Sequence, residues 1–155
     1  MRPPYAPVMG AMDDAYADAY DAIAIKEVLV RAVESRAAAA ARARERIVEF
    51  GMRILEQVEL DRAEGLPALG DADRPAARAR VLGLLTDLVL AELRALRPRE
   101  KTAEDALPDE LLARHLASTF VQVLEWWEES PTPVPAREAN DYFRSLVLPA
   151  LDVGF

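Results

Sequence analysis

Residues 111–130 read LLARHLASTFVQVLEWWEES, residues 131–135 PTPVP, and residues 136–151 AREANDYFRSLVLPAL. Two amphipathic helical patterns are joined by a turn carrying three prolines. The first pattern is apolar over most of its circumference and ends in Trp126 and Trp127. Such a helix must bury more than one face, and in a chain this short the spare face calls for another subunit, a ligand, or both.

A helical wheel at about 100° per residue, with His115 at zero, separates two stripes. Leu112, Leu116, Phe120, Val123 and Trp127 cluster as a core face. Beside them lie His115, Thr119, Gln122 and Trp126, with Ser118 at the edge. An imidazole, a hydroxyl, an amide and an indole on one stripe can line a mostly apolar pocket. They can equally sit at a partly wet subunit interface. Plainer readings compete: a lone histidine beside an apolar face is ordinarily a hydrogen-bonded structural residue, and Tyr142 and Phe143 read as packing. Adjacent tryptophans point about 100° apart, so they do not share one core. Trp127 is core, and Trp126 is core edge, interface or pocket.

Working outward, Pro108 followed by Asp109 and Glu110 starts the first of these helices. Residues 98–108 read as a charged connection. The preceding helix runs to about Leu96 on a stripe of Leu82, Leu85, Val89, Leu93 and Leu96, widened by Val81, Leu84 and Leu88. Asp73, Arg74 and Pro75 give it a cap with proline in the first turn, and Pro98 ends it. Residues 63–75, AEGLPALGDADRP, are the clearest loop. Upstream, helix signals begin at Asp13 and Asp14 and nothing but Gly51 interrupts them as far as Arg62. The run can be one very long helix, but large apolar residues vanish through ESRAAAAARARER (34–46), so the spacing favours two helices breaking near Ser35–Arg46. Ile23, Val28, Val30 and Val33 precede the gap; Ile47, Phe50, Ile54, Leu55 and Val58 follow it. Residues 1–12, with three prolines and a glycine, predict a flexible arm. The last helix is predicted to reach about Leu148, with Pro149 and Gly154 marking its end. The expected fold is all-α, about five helices in a bundle-like arrangement, with a single helical domain over residues 13–155.

Composition excludes several functions. The chain of 155 residues is 52% hydrophobic and 30% charged, which places it among soluble globular proteins. A net charge of −8 and a pI near 4.8 oppose DNA binding by phosphate neutralisation. Arg36, Arg42, Arg44 and Arg46 spread round a helix and read as a solvated face. Without cysteine there are no disulfides, thiolate nucleophiles or zinc–thiolate sites, which fits a cytoplasmic protein. The first residues, MRPPYAPVMGAMDD, lack the continuous apolar core expected of a signal peptide, and no segment predicts a membrane span. One histidine, no phosphate-binding glycine loop and no histidine–carboxylate ligand spacing argue against an enzyme, a cofactor or a metal. Glu128 and Glu129, at a helix end before prolines, read as solvated.

The stretch 111–151 resembles the C-terminal end of TetR-family transcriptional regulators. Members of that family often carry an apolar helix ending in a Trp-Trp or Leu-Trp-Trp-like element, then a proline-containing turn and a helix ending in a Leu-Val-Leu-Pro-like run. The corresponding elements here are HLASTFVQVLEWWEES, PTPVP and YFRSLVLPAL, about 40 of 155 residues. A fainter resemblance lies in YDAIAIKEVLVRAV, where Tyr20, Lys26, Glu27 and Leu29 match the family's lead into its connecting helix. Ile23 stands where an aromatic is usual and Ile25 where a small polar residue is usual. The family's helix-turn-helix finds no counterpart in residues 1–25, which carry Asp13, Asp14, Asp18 and Asp21 in place of phosphate-contacting bases.

The resemblance implies the effector-binding and dimerisation half of a transcription regulator, without its own intact DNA-binding domain. It implies a homodimer in which the last two helices and their mates form a four-helix bundle. Phe120, Trp127, Tyr142, Phe143, Leu146 and Val147 are the candidates for that contact. It also implies a small apolar ligand inside each subunit, for which the wheel nominates His115, Thr119, Gln122 and Trp126. The other reading of the same surface is a helical protein–protein interaction module with no small ligand.

Overall fold

The computed structural model describes residues 6–67, 70, 73–96 and 107–154, with side chains at 19, 21–67, 70, 73–96 and 107–152. Residues 1–5 of the arm expected over 1–12, Pro98 and nearly all of the charged connection lie outside the described residues, as do the Asp13 and Asp14 side chains; residues 6–12 of that arm are helical. The described residues form four α-helices: α1 (Ala6–Ala63), α2 (Arg74–Leu96), α3 (Asp109–Glu129) and α4 (Ala136–Gly154). None of them is long and apolar enough to cross a membrane.

The expectation of about five helices counted a break in residues 34–46, and α1 has none there. Loss of large apolar residues removes a packing face, but it does not remove the preference of alanine, arginine and glutamate for helix. The helix begins at Ala6, upstream of Asp13. Its C-terminus is closed by Gly65 at φ 68°. The Leu66 N–H donates to the Asp61 carbonyl (2.8 Å) and the Gly65 N–H to that of Arg62 (3.1 Å), a Schellman end that uses glycine for its left-handed residue.

The chain divides into two compact units, 1–39 and 40–155. In the first, Ile23, Ile25, Val28, Leu29, Val30 and Val33 are all exposed. The expected stripe at 23, 28, 30 and 33 therefore forms no core within its own unit. The second unit holds the core. Ile47, Val48, Met52, Leu55 and Val58 of α1 pack with Val81, Leu85, Val89 and Leu93 of α2, with the inner face of α3, and with Phe143, Val147 and Leu151 of α4. The α2 stripe keeps the four-residue repeat of the sequence but narrows: Leu82, Leu84 and Leu88 are exposed. Asp73 caps α2, accepting from the Ala76 N–H at 3.3 Å.

Helix α4 runs through Pro149 to Gly154 rather than ending near Leu148. Proline inside a helix costs about 3 kcal/mol through its missing N–H and ring clash. Complete burial of Leu151, worth about 1.5–3 kcal/mol, opposes that cost, and an Arg44–Asp152 ion pair ties the last turn to α1.

Candidate functional site

The α3–α4 turn is held by three contacts, each from a residue outside the turn. Trp127 is 1% exposed, and its Nε1–H donates to the Val134 carbonyl at 2.6 Å, tying the proline segment to the end of α3. The Arg62 guanidinium lies over the Trp127 ring, 4.7 Å from its centroid. Glu59 accepts the Ala136 N–H at 2.8 Å, so a carboxylate from α1 satisfies an amide in the first turn of α4, where the helix dipole favours an anion. Further along, Arg144 of α4 pairs with Glu45 and Glu49 of α1 at 3.1 and 3.3 Å. The Arg144 hydrogen bond holds the Glu45 carboxyl below its ordinary value. These contacts set the pitch of α4 against α3 and so shape the outward surface between them.

That surface carries a groove of about 390 Å³, lined by Gln122, Val123, Trp126, Tyr142 and Leu146. Val123 forms its nearly buried floor, whereas Trp126, Tyr142 and Leu146 are 51%, 43% and 59% exposed. Trp126 and Tyr142 meet edge to face at 5.8 Å, an arrangement the aromatic quadrupoles favour. The Tyr142 hydroxyl donates to Glu138 at 2.8 Å, and this bond to a carboxylate raises its pKa above the usual phenol value. The lining is apolar and aromatic with two polar groups, the Gln122 amide and the Tyr142 hydroxyl, a surface able to take up apolar area.

The four stripe residues fall on the outside of α3. Gln122 and Trp126 line the groove; His115 and Thr119 lie along the same helix and do not line it. Thr119 is half-buried and donates its hydroxyl to the His115 carbonyl at 2.7 Å, while His115 itself is exposed. Of the six residues named for a dimer contact, Tyr142 and Leu146 are exposed beside the groove. Phe120, Trp127, Phe143 and Val147 are between 0% and 3% exposed and pack inside the subunit. Phe120 and Phe143 meet edge to face at 5.3 Å across the α3–α4 seam. The wheel already placed Phe120 and Trp127 on the core face; which side of α4 meets α3 was not readable from one helix alone.

Sequence reasoning passed over Asn140. It is 0% exposed, and neither its amide nitrogen nor its oxygen has a hydrogen-bond partner among the described residues. Its signal was available: it sits three or four residues from Ala136, Phe143 and, one turn further, Val147, at core spacing on α4. A second depression of about 600 Å³, at Thr86, Asp87, Leu90, Pro108, Glu110, Leu111 and Arg114, is more polar and lies between α2 and the start of α3. Comparison with family models, with curated proteins and with solved structures finds no match to the chain.

Proposed function

We propose that this chain is the effector-binding and dimerisation region of a TetR-like transcriptional regulator, working as a cytoplasmic homodimer that senses a small apolar ligand. One observation carries the pairing half of this reading. Trp126, Tyr142 and Leu146 stand together, largely exposed, on the outer face of the last two helices. Three large apolar side chains around one groove are the kind of patch that a partner covers. The resemblance of 111–151 to the end of that family supplies the partner, a second copy meeting it across the same two helices.

Sedimentation velocity at micromolar concentration tests the pairing; a clean monomer would retire it. The sensing half is tested by thermal melts with a panel of small apolar compounds. A ligand that binds only the folded state raises its stability by about 2.7 kcal/mol at a hundred times its Kd.

The reading without a small ligand, a helical protein–protein interaction module, draws on a different observation. The groove opens outward, and the interior is tightly filled where α1 crosses α3: a Cβ on Gly51 would come within 2.1 Å of the Phe120 ring. A dimer whose melting temperature none of the compounds moves is the result expected from the module.

A further inference from the structure

Two indoles stand side by side at the end of α3, and one of them already holds a cation. The Trp127 ring takes the Arg62 guanidinium 4.7 Å from its centroid, and that guanidinium also donates to the Trp127 carbonyl at 3.5 Å. Trp126 is 51% exposed, and among the described residues no cationic side chain lies over its ring or over that of Tyr142. These two rings meet at 73°, so they form two walls of a corner, with Val123 beneath and Leu146 completing the groove. Each ring presents a negative face. Glu138 adds a full negative charge: its carboxylate accepts the Tyr142 hydroxyl at 2.8 Å, and no cation pairs with it among the described residues. From Glu125 to Tyr142 the chain carries five acids and one base, Arg137. Arg78 on Glu125 and Arg62 on Trp127 leave that balance negative.

We propose that the Trp126–Tyr142 corner binds a small quaternary ammonium cation, and that this cation and a second copy of the chain exclude each other from the groove. The exclusion rests on the dimer reading above; the cation site stands without it. A methyl-clad ammonium spreads its charge over a weakly hydrated surface, so it meets ring faces without shedding a tight water shell. The ammonium of lysine is compact and strongly hydrated, and suits such a corner less well. Val123 and Leu146 give the methyl groups apolar area to cover, and about 390 Å³ has room for a trimethylammonium head. Glu138, one helical turn before Tyr142, supplies the counter-charge, and its hydrogen bond makes the phenol ring richer in electrons. A neutral apolar ligand would cover Val123 and Leu146 equally well but would draw nothing from the ring faces or from Glu138. The exclusion follows from shared residues: Trp126, Tyr142 and Leu146 are the side chains that a second copy covers on the dimer reading.

Choline and its uncharged carbon isostere, dimethylbutanol, share one shape, so comparing them isolates the charge. Each is titrated into the nitrogen-labelled chain while the two indole N–H resonances are followed. Trp127 is the internal reference, because its Nε1–H is held on the Val134 carbonyl in a buried side chain. The expected result is a choline-dependent shift at Trp126 and none at Trp127, with choline binding about fivefold or more tighter than dimethylbutanol. Glu138→Gln, read at Trp126, weakens choline severalfold and leaves dimethylbutanol unchanged. Equal affinity for the two compounds, or no shift at Trp126 with choline at tens of millimolar, overturns the cation site. Sedimentation of the wild type in saturating choline is expected to move toward monomer; a dimer that persists while the Trp126 resonance shifts overturns the exclusion. A chain that is monomeric without choline, yet binds it at Trp126, retires the dimer reading and the exclusion with it, and upholds the cation site.

Discussion

Gly51 is held by what stands opposite it. Alanine is worth about 1 kcal/mol more than glycine in a helix interior, so Gly51→Ala would stabilise α1 if space allowed. The added Cβ would come within 2.1 Å of a Phe120 ring that is fully buried and braced edge to face by Phe143. Overpacking of that kind costs about 1–3 kcal/mol, so urea denaturation is expected to show net destabilisation, relieved when Phe120→Leu is combined with it. Asn140 runs the other way. Its amide is fully buried and unpartnered among the described residues, and such a group carries a desolvation cost of about 1–3 kcal/mol. Asn140→Leu, of similar size and without polar atoms, is expected to raise the melting temperature; an unchanged or lower value would mean that the amide is satisfied.

At the scale of elements, α4 depends on α1 for both its start and its finish, through Glu59 at Ala136 and Arg44 at Asp152. Between them, the Arg144 pairing with Glu45 and Glu49 gives a pH signature. Glu45 has its carboxyl pKa lowered, first by the Arg144 hydrogen bond. A carboxyl depressed on folding stabilises above the ordinary glutamate value near 4.5, and that contribution is lost as pH falls through the lower folded value. Glu45→Gln is therefore expected to melt below the wild type at pH 7, with the gap closing toward pH 3. A gap that stays constant across that range would deny the ion pair its role. The effect is small in size, because both partners reach solvent. The length of α1 belongs to this scale too: alanine and arginine in residues 34–46 sustained a helix where the apolar pattern alone predicted an end.

At the scale of the whole molecule, the groove residues matter to assembly rather than to the fold of one subunit. Leu146 is 59% exposed, so Leu146→Glu leaves the core of its own subunit intact. On the dimer reading it puts a carboxylate into a desolvated contact in both copies, at a cost of more than about 2 kcal/mol. Sedimentation is expected to shift to monomer while far-UV circular dichroism keeps its helical signal. Loss of that signal would instead place Leu146 in the fold. The exposed apolar residues of unit 1, from Ile23 to Val33, have no such assignment, because nothing packed on them within that unit says what covers them.

Helix class, the cap at Asp73, the start of α3 after Pro108, the core stripe of α3 and the core position of Trp127 were all determined by the sequence, because periodicity and helix-end signals are local properties of a helix. Periodicity misjudged α1 and α4 for the same reason. It records where apolar residues fall, whereas continuation through residues 34–46 depends on backbone propensity, and continuation through Pro149 on Leu151 finding a buried seat. The division of the aromatic residues was a tertiary decision. Phe143 and Tyr142 are neighbours in sequence, and only the rotation of α4 against α3, set by Trp127, Glu59 and Arg144, put one ring in the core and left the other at the groove.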